Sequence, residues 1–240
     1  MIELLGRLKA EADRGAFIEA HLDFHSVREL AIREALEAKD FLRCKTLAAE
    51  GISNAVKKDL PGYIDGYRTS LVEAMDAEGA GREADQLVER WAIEANSDSW
   101  FKVLKTRIPQ NTWTATRERV LTAIESRGDR TGLLASMYAS ARLLDRLMDL
   151  CEKKPREFIG YYHKLMKTYP SRVAPLLRDY IGRKADSDSK RSSYGETASL
   201  VADYGKCAGA EACSALIDEI EDHYSARRAM REELEKVRPR

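Results

Sequence analysis

The sequence predicts an all-α fold, an α-α superhelix of stacked antiparallel helix pairs. Apolar residues recur at helical spacing along almost the whole chain, and no segment shows the alternation of β-branched residues that is typical of a strand. Glycine, proline, asparagine and aspartate interrupt this pattern at short intervals. About thirteen short helices result, which suit stacked pairs better than a four-helix bundle. We expect one helical-repeat domain over residues 1–240.

The predicted helices follow one another in chain order. We expect the first over residues 2–13, a short connector or a turn of helix over 15–26, and then a helix ending near Asp40, which Ser26 and Glu29 begin as a capping box. The last helix is expected to start near Ala210, and its extension through Val237 is left open. The intervening helices are separated by residues 60–62, 79–81, 96–98, Pro109, Gly128, a turn near Ala141, Pro170, residues 184–193 and residues 205–209.

Residues 155–181 show the repeating unit most clearly. Two apolar stripes flank Tyr169-Pro170, where the proline ring forces the first helix to stop. This pair and the pair that starts near Ser193 are separated by roughly 35–40 residues, the period of common helical-pair repeats. The spacing predicts a TPR-like solenoid. We interpret Phe158, Tyr162, Tyr169 and Tyr180 as the seam between repeats and expect Tyr169→Ala to destabilise the fold as large-to-small core changes do.

The charge distribution alone does not indicate which class of partner the protein binds. The chain carries 40 Lys and Arg against 40 Asp and Glu. Residues 1–95, a possible acidic N-terminal part, have 13 Lys and Arg against 19 Asp and Glu, whereas residues 96–240, a possible basic C-terminal part, have 27 against 21. This asymmetry falls short of the basic domain expected of a dedicated nucleic-acid binder. Residues 184–193 are expected to form a mobile polar loop.

The four cysteines predict neither a zinc knuckle nor a redox dithiol, because they form no CxxC or CxC pair. Cys44 and Cys151 lie on apolar helix faces and are expected in the core, whereas Cys207 and Cys213 flank a glycine turn, one near a loop and one in a core. The N-terminus lacks a signal-peptide pattern, and no window approaches 18 consecutive apolar residues. We expect a cytoplasmic protein without a membrane partner.

The sequence contains no complete metal-binding or catalytic motif. His21 and His25 would share a helix face and could reach one metal ion, but no third ligand is evident. No nucleophile elbow or glycine-rich loop after a strand is present. His163 is more typical of a surface residue than of a base. The sequence therefore predicts no metal site, no cofactor and no enzymatic activity.

One basic cluster surrounds the polar loop and is a candidate binding surface: Arg178, Arg183, Lys184, Lys190 and Arg191. A second set of cations crowds the C-terminus at positions 227, 228, 231, 236, 238 and 240. These side chains could contact the phosphates of a nucleic acid. We favour the alternative that they oppose helix dipoles and keep the protein soluble, because acidic residues interleave with them.

The C-terminal part contains a recurring set of aromatic and charged positions: Phe158, Tyr162, Leu165, Tyr169 and Pro170, then Tyr194, and then Tyr224, Arg227, Met230, Glu233 and Leu234. In these residues it resembles the end of the helical region of bacterial and archaeal SWIM zinc-finger proteins. The resemblance covers about the last 130 residues, and residues 15–31 are similar to the family more weakly. The family's zinc site is a Cys-x-Cys followed by a Cys-x-His, and this chain has neither half. The chain would then be the repeat domain of a longer protein, or a relative that lost the finger.

The sequence thus leads to a functional expectation of a non-catalytic kind. Family membership would imply a scaffold associated with protein–protein contacts, and nucleic-acid contacts would be a second option. We expect a helical-repeat scaffold that binds protein segments along a groove between stacked pairs. The alternative is a nucleic-acid-associated module that uses the basic C-terminal half.

Overall fold

The structure, a computed structural model, describes residues 11–239 of the chain. Within these residues it contains fifteen helices and no strand. Each helix pairs with neighbours in the sequence, so the predicted all-α helical-repeat fold is confirmed. The first predicted helix, over residues 2–13, falls largely outside the described residues.

The helices are connected by short links in chain order. They are α1 (Glu11–Ala20), α2 (His25–Glu37), α3 (Phe41–Lys57), α4 (Pro61–Glu78), α5 (Gly81–Glu94), α6 (Ser99–Arg107), α7 (Gln110–Glu125), α8 (Thr131–Ser140), α9 (Leu144–Lys153), α10 (Pro155–Phe158), α11 (Tyr162–Leu165), α12 (Pro170–Ser187), α13 (Arg191–Ala208), α14 (Ala210–His223) and α15 (Arg228–Glu235).

The first of two compact units holds residues 11–95 together with Ser99–Thr116. Helices α1 to α5 each pack against the next one, and α2 also contacts α4. Helices α2, α3 and α4 share a core to which mainly small residues contribute: Val27, Ala31, Ile32, Ala35, Cys44, Leu47, Ala48, Ala55, Tyr67 and Ala74. Small side chains at these positions allow the helix backbones to approach one another closely.

Gly51 marks the closest approach in this unit. The ring of Tyr67 on α4 lies against the backbone of α3, and a Cβ added at position 51 would lie 2.8 Å from two ring atoms. Any residue larger than glycine would therefore push the ring away. Tyr67 is buried by this contact, with 5% of its surface exposed.

The second unit holds Asn96–Asp98 and residues 117–239. Helices α8 to α11 form a compact group at its start, and α11 leads into α12. Helix α13 is central to the remainder, because it packs against α12, α14 and α15. Its core includes fully buried aliphatic residues from three of these helices, Leu177, Ile181, Val201 and Ile217.

One predicted helix boundary is wrong, and the structure decides another that the sequence leaves open. The capping box at Ser26 is absent, because α2 already begins at His25 and the carbonyl of Phe24 accepts the first amide hydrogen bonds, from Val27 and Arg28. The C-terminal helix does not continue to Val237, since α14 ends at His223 and α15 is a separate helix.

The segment before Pro170 also differs from the single helix that the sequence predicts. It forms two one-turn helices, α10 and α11, with Phe158 and Tyr162 buried. Pro170 opens α12 as its first residue, as the sequence predicts. Tyr169 and Tyr180 are only half-buried, so two of the four proposed seam residues form no part of the core.

The expected polar loop over residues 184–193 is almost entirely helical. Helix α12 continues to Ser187 and α13 begins at Arg191. The link is held by Asp188, which is 5% exposed and accepts hydrogen bonds from Thr197 Oγ1 at 2.7 Å and Lys184 Nζ at 3.3 Å. The two partners lie on the two helices that the link connects, and their hydrogen bonds allow the polar Asp188 side chain to be buried there.

Candidate functional site

A groove of about 910 Å³ lies between α12 and α14 in the second unit. Both helices pack on α13, which places them side by side and leaves one face of each open. The groove is lined by α12 residues that recur every three to four positions, from Arg178 to Asp186, and by α14 residues from Leu216 onwards. This spacing puts the lining residues of each helix on one face.

The floor of the groove is apolar. Ala185, Leu216 and Ile220 line it, and each is at least 95% buried. Gly182 also belongs to the lining, and a Cβ there would meet no other atom within 4 Å. The absence of a side chain at this position keeps the groove open toward α12.

Carboxylates dominate the walls of the groove. Asp179, Asp186, Glu219 and Asp222 are exposed along it, against one arginine, Arg178. Arg178 is already paired with Glu219 at 2.5 Å. The side chains of Asp179 and Asp222 have no hydrogen-bond or ion-pair partner within the described part of the chain. The groove therefore carries uncompensated negative charge above an apolar floor.

Tyr224 borders the groove beside Asp186, and Arg227 packs against the tyrosine. The hydroxyl of Tyr224 donates a hydrogen bond to Asp186. Arg227 lies over the tyrosine ring, 4.2 Å from its centroid, and donates to the carbonyl of Ala185 at 2.7 Å. Burial, together with the Asp186 carboxylate, raises the pKa of Tyr224 to about 12. Tyr224 is thus a neutral hydrogen-bond donor at neutral pH, fixed between α12 and the residues after α14.

The candidate basic surface divides among several local contacts. Only Arg178 of its five residues borders the groove. Lys184 is paired with Asp188 and with Glu196, and Arg191 reaches the carboxylates of α15. Arg183 and Lys190 are exposed. Three of the five predicted residues therefore have carboxylate partners.

Three of the five described cations near the C-terminus are also paired with carboxylates, and position 240 lies outside the described residues. Arg228 and Lys236 contact carboxylates on their own helix, Glu232 and Glu233. Arg238 contacts three carboxylates, and the shortest of these pairs is with Asp218 at 2.7 Å. These contacts reduce the positive charge that this end of the second unit presents to a partner.

The two histidines that the sequence places four residues apart face different partners. His21 Nδ1 lies 2.7 Å from the carbonyl of Phe17, whereas His25 Nδ1 lies 2.9 Å from the Tyr67 hydroxyl. Helix α1 ends before His21 and α2 begins at His25, so the two do not share a helix. No group of three or more metal-ligating side chains occurs among the described residues.

Cys44, Cys151, Cys213 and His163 lie where the sequence predicts them, whereas Cys207 lies inside α13, which runs through most of the expected glycine turn. Cys44, Cys151 and Cys213 are buried, Cys207 is half-buried, and all four thiols are free. Burial raises the pKa of Cys151 to about 11, with a further contribution from neighbouring glutamates, which disfavours its reactive thiolate form. His163 is exposed, with its Nδ1 3.8 Å from Asp203.

Sequence reasoning missed the four groove carboxylates. Asp179 and Asp186 are seven residues apart on α12, and Glu219 and Asp222 are three apart on α14. These spacings are recognisable as acidic helix faces. Their meeting across one groove depends on α13 holding α12 and α14 together, which no local pattern shows.

Among the described residues, no helix is both long enough and apolar enough to cross a membrane. Comparisons with protein-family models, with curated proteins and with solved structures found no match to this chain.

Proposed function

We propose that this protein is a non-catalytic helical-repeat scaffold whose groove between α12 and α14 binds a protein segment rich in lysine, arginine and aliphatic residues. The single observation that carries the proposal is that exposed carboxylates outnumber arginines along the walls of a groove whose floor is apolar. An extended segment with alternating side chains can place aliphatic groups on the floor while its cations meet the walls.

The dimensions of the groove fit a short segment. The lining residues of α12 run from position 178 to position 186, a distance of about 12 Å at the rise of an α-helix. An extended chain advances about 3.3 Å per residue, so about four residues of a partner would lie along the groove. Flanking residues of the partner would extend past it.

The chemistry of lysine and arginine suits both parts of this groove. Their long aliphatic stems can cover Leu216 and Ile220, while the charged heads reach Asp179 and Asp222. Exposed ion pairs are weak individually and are screened by salt. We expect a moderate affinity that falls as the ionic strength rises.

The alternative, nucleic-acid binding by the basic C-terminal half, receives less support from the contacts. Lys184, Arg191 and Arg238 are held by carboxylates of the same unit. A phosphate backbone would have to compete with these pairs and would approach an acidic groove. The kinship with SWIM zinc-finger proteins and the cytoplasmic location are likewise part of the proposal, and they rest on the sequence motifs alone.

A peptide-binding titration tests the proposed function. We would measure the fluorescence polarisation of a labelled peptide of about eight residues with alternating Lys and Leu, against the same peptide with Glu in place of Lys. The basic peptide should bind and the acidic one should not. A labelled single-stranded oligonucleotide of similar length serves as the competing ligand. Tighter binding of the oligonucleotide than of the basic peptide would favour the alternative.

Matched substitutions on α14 locate the binding. Asp222→Asn removes a groove carboxylate and should weaken the basic peptide by about two- to fivefold, the range for one exposed ion pair. Glu211→Gln removes the same charge from the same helix, outside the groove lining, and should leave affinity unchanged. Equal effects of the two substitutions would show that only the net charge matters and would contradict the groove assignment.

A further inference from the structure

A small pocket in the first unit contains a buried arginine. The pocket has a volume of about 220 Å³ and lies among α2, α3 and α4. Arg28 of α2 lines it and is 4% exposed. A buried charge is costly unless it is paired, so the partners of this side chain indicate what the pocket can hold.

The hydrogen bonds of Arg28 leave two of the five N–H donors of its guanidinium group available. Nε donates to the carbonyl of Leu22 at 3.0 Å, and Nη1 donates to the carbonyl of Leu47 at 3.0 Å and to Glu50 at 3.1 Å. Nη2 makes no hydrogen bond within the described residues. Among the described residues, Arg68 Nε is the only fully buried side-chain nitrogen or oxygen without a hydrogen-bond partner. Arg28 Nη2 is therefore not fully enclosed by the protein. Nη2 is thus the group that Arg28 offers to the pocket.

The counter-charge of Arg28 within the protein is incomplete. Glu50, its one carboxylate partner among the described residues, has a side chain that is 55% exposed, whereas that of Arg28 is 5% exposed. Water solvates Glu50 and weakens its attraction for the arginine. An anion bound to Nη2 would add a second counter-charge to an arginine whose side chain is only 5% exposed.

Other donors converge on the same space. Asn54 of α3 and Lys58, the residue that follows α3, both line the pocket and are four residues apart, so they lie on the same side of the helix end. Lys58 adds a second positive charge, and Asp23 is the one carboxylate in the lining. Two cations and one carboxylate therefore line the pocket, a balance that favours an anionic ligand.

The rest of the pocket is apolar and aromatic. Leu60 and Tyr63 line it and are 42% and 40% exposed. The imidazole of His25 lies 3.8 Å from the ring of Tyr63, centroid to centroid, and its Nδ1 is occupied by Tyr67. A ligand held at Arg28 could place a small apolar group against these rings.

We propose that this pocket binds a carboxylate group joined to a small apolar body, which is the chemistry of an aromatic carboxylic acid and of the C-terminal residue of a peptide. Arg28 Nη2 and Lys58 hold the carboxylate oxygens, Asn54 donates its amide, and Tyr63 and Leu60 contact the apolar part. A volume of about 220 Å³, at about 30 Å³ per water molecule, corresponds to about seven waters and admits one such group. The site is separate from the α12/α14 groove and does not depend on the function proposed for it.

Calorimetric titration with phenylacetate, phenylacetamide and inorganic phosphate tests the site. Phenylacetate should bind and phenylacetamide, which has the same shape without the charge, should bind at least about tenfold more weakly. Equal binding of acid and amide, or no binding of phenylacetate up to about 10 mM, would overturn the proposal. Phosphate binding as tight as that of phenylacetate would overturn the assignment of a carboxylate.

A peptide pair distinguishes the two sources of the carboxylate. N-acetyl-Gly-Phe with a free C-terminus and its C-terminal amide differ only in the charged group. Tighter binding of the free-acid peptide than of phenylacetate, with loss on amidation, assigns the site to peptide C-termini. Binding of phenylacetate without binding of either peptide assigns it to small acids. Both results support a carboxylate site.

Substitutions at the end of α3 provide the matched control. Lys58→Met should weaken phenylacetate by about tenfold, the loss expected for a charge-assisted contact. Lys57→Met removes the same charge one residue earlier, outside the lining, and should have no effect. Arg28→Lys retains the charge without the planar fork and should also weaken binding, provided that its circular dichroism matches the unsubstituted protein. Equal losses in Lys57→Met and Lys58→Met would overturn the site.

Discussion

Gly51→Ala should destabilise the first unit, although an alanine within a helix normally stabilises it. Position 51 lies inside α3, and the added Cβ would lie 2.8 Å from two atoms of the Tyr67 ring and 2.9 Å from a third. Ordinary contacts lie at 3.4–4 Å, so the ring or the helix must move by more than half an ångström. Tyr67 has little room for this shift, because it is buried and its hydroxyl contacts His25.

The expected magnitude follows from two opposing terms. Overpacking of a core costs about 1–3 kcal/mol, whereas replacing a helical glycine by alanine returns about 0.5–1 kcal/mol. We expect a net loss of about 1–2 kcal/mol. For a protein of this length, that loss corresponds to a fall in Tm of about 2–8 °C.

Thermal unfolding followed by circular dichroism measures this effect against a control. Gly66→Ala changes a glycine inside α4 where the nearest atom to the new Cβ is Glu29 Oε1 at 3.9 Å. It should raise Tm, because only the helix preference changes. The reasoning is refuted if Gly51→Ala raises Tm as Gly66→Ala does. In a Tyr67→Leu background the cost of Gly51→Ala should shrink, which a double-mutant cycle would record.

Two further predictions concern the second unit. Burial alone would raise the pKa of Asp203, but hydrogen bonds from Lys206 and Tyr162 outweigh it and hold that pKa below its usual range. The stabilisation that Asp203 provides is therefore complete above about pH 4 and is lost as the pH falls through its lowered pKa. Urea unfolding at about pH 6 and about pH 3 measures this loss. Asp203→Asn should lose less stability on acidification than the unsubstituted protein, and an equal loss would contradict the prediction. Phe158→Ala should cost about 3–5 kcal/mol, because Phe158 is 1% exposed. Tyr169→Ala should lower the free energy of unfolding clearly less, because Tyr169 is half-buried and contacts Asp145 at the surface. Equal losses of the two variants in urea unfolding would show that Tyr169 contributes as a core residue does.

Local signals were sufficient for most of the helices. Pro170 opens α12 because a proline has no amide hydrogen to lose at the first position of a helix. Cys44 and Cys151 lie on apolar faces, and both are fully buried. In each case the deciding interaction involves residues within one helical turn, which the sequence displays directly.

The predictions that fail depend on residues distant in the sequence. Residues 184–193 look like a loop because they are polar, but Asp188 finds Thr197 of the next helix and becomes buried. The one-turn helices α10 and α11 replace a single helix in a segment that buries both Phe158 and Tyr162. Composition alone cannot separate a solvated polar residue from one whose partner lies on another helix.

The candidate sites were hidden from the sequence for a related reason. Arg28 is buried because the carbonyl groups of Leu22 and Leu47 accept its hydrogen bonds, and neither carbonyl is marked by a side-chain pattern. The α12/α14 groove joins two acidic faces that are separated by the whole of α13. Both features arise from packing between helices and become visible only in the folded chain.

The location of peptide contacts tests the central claim most directly. Amide chemical shifts in two-dimensional NMR spectra, recorded as the alternating Lys and Leu peptide is added, report which residues it touches. The groove account predicts that the largest shifts fall on residues 178–186 of α12 and 216–224 of α14. Shifts that instead centre on Arg183, Lys190 and α15, or that spread evenly over the chain, would contradict it.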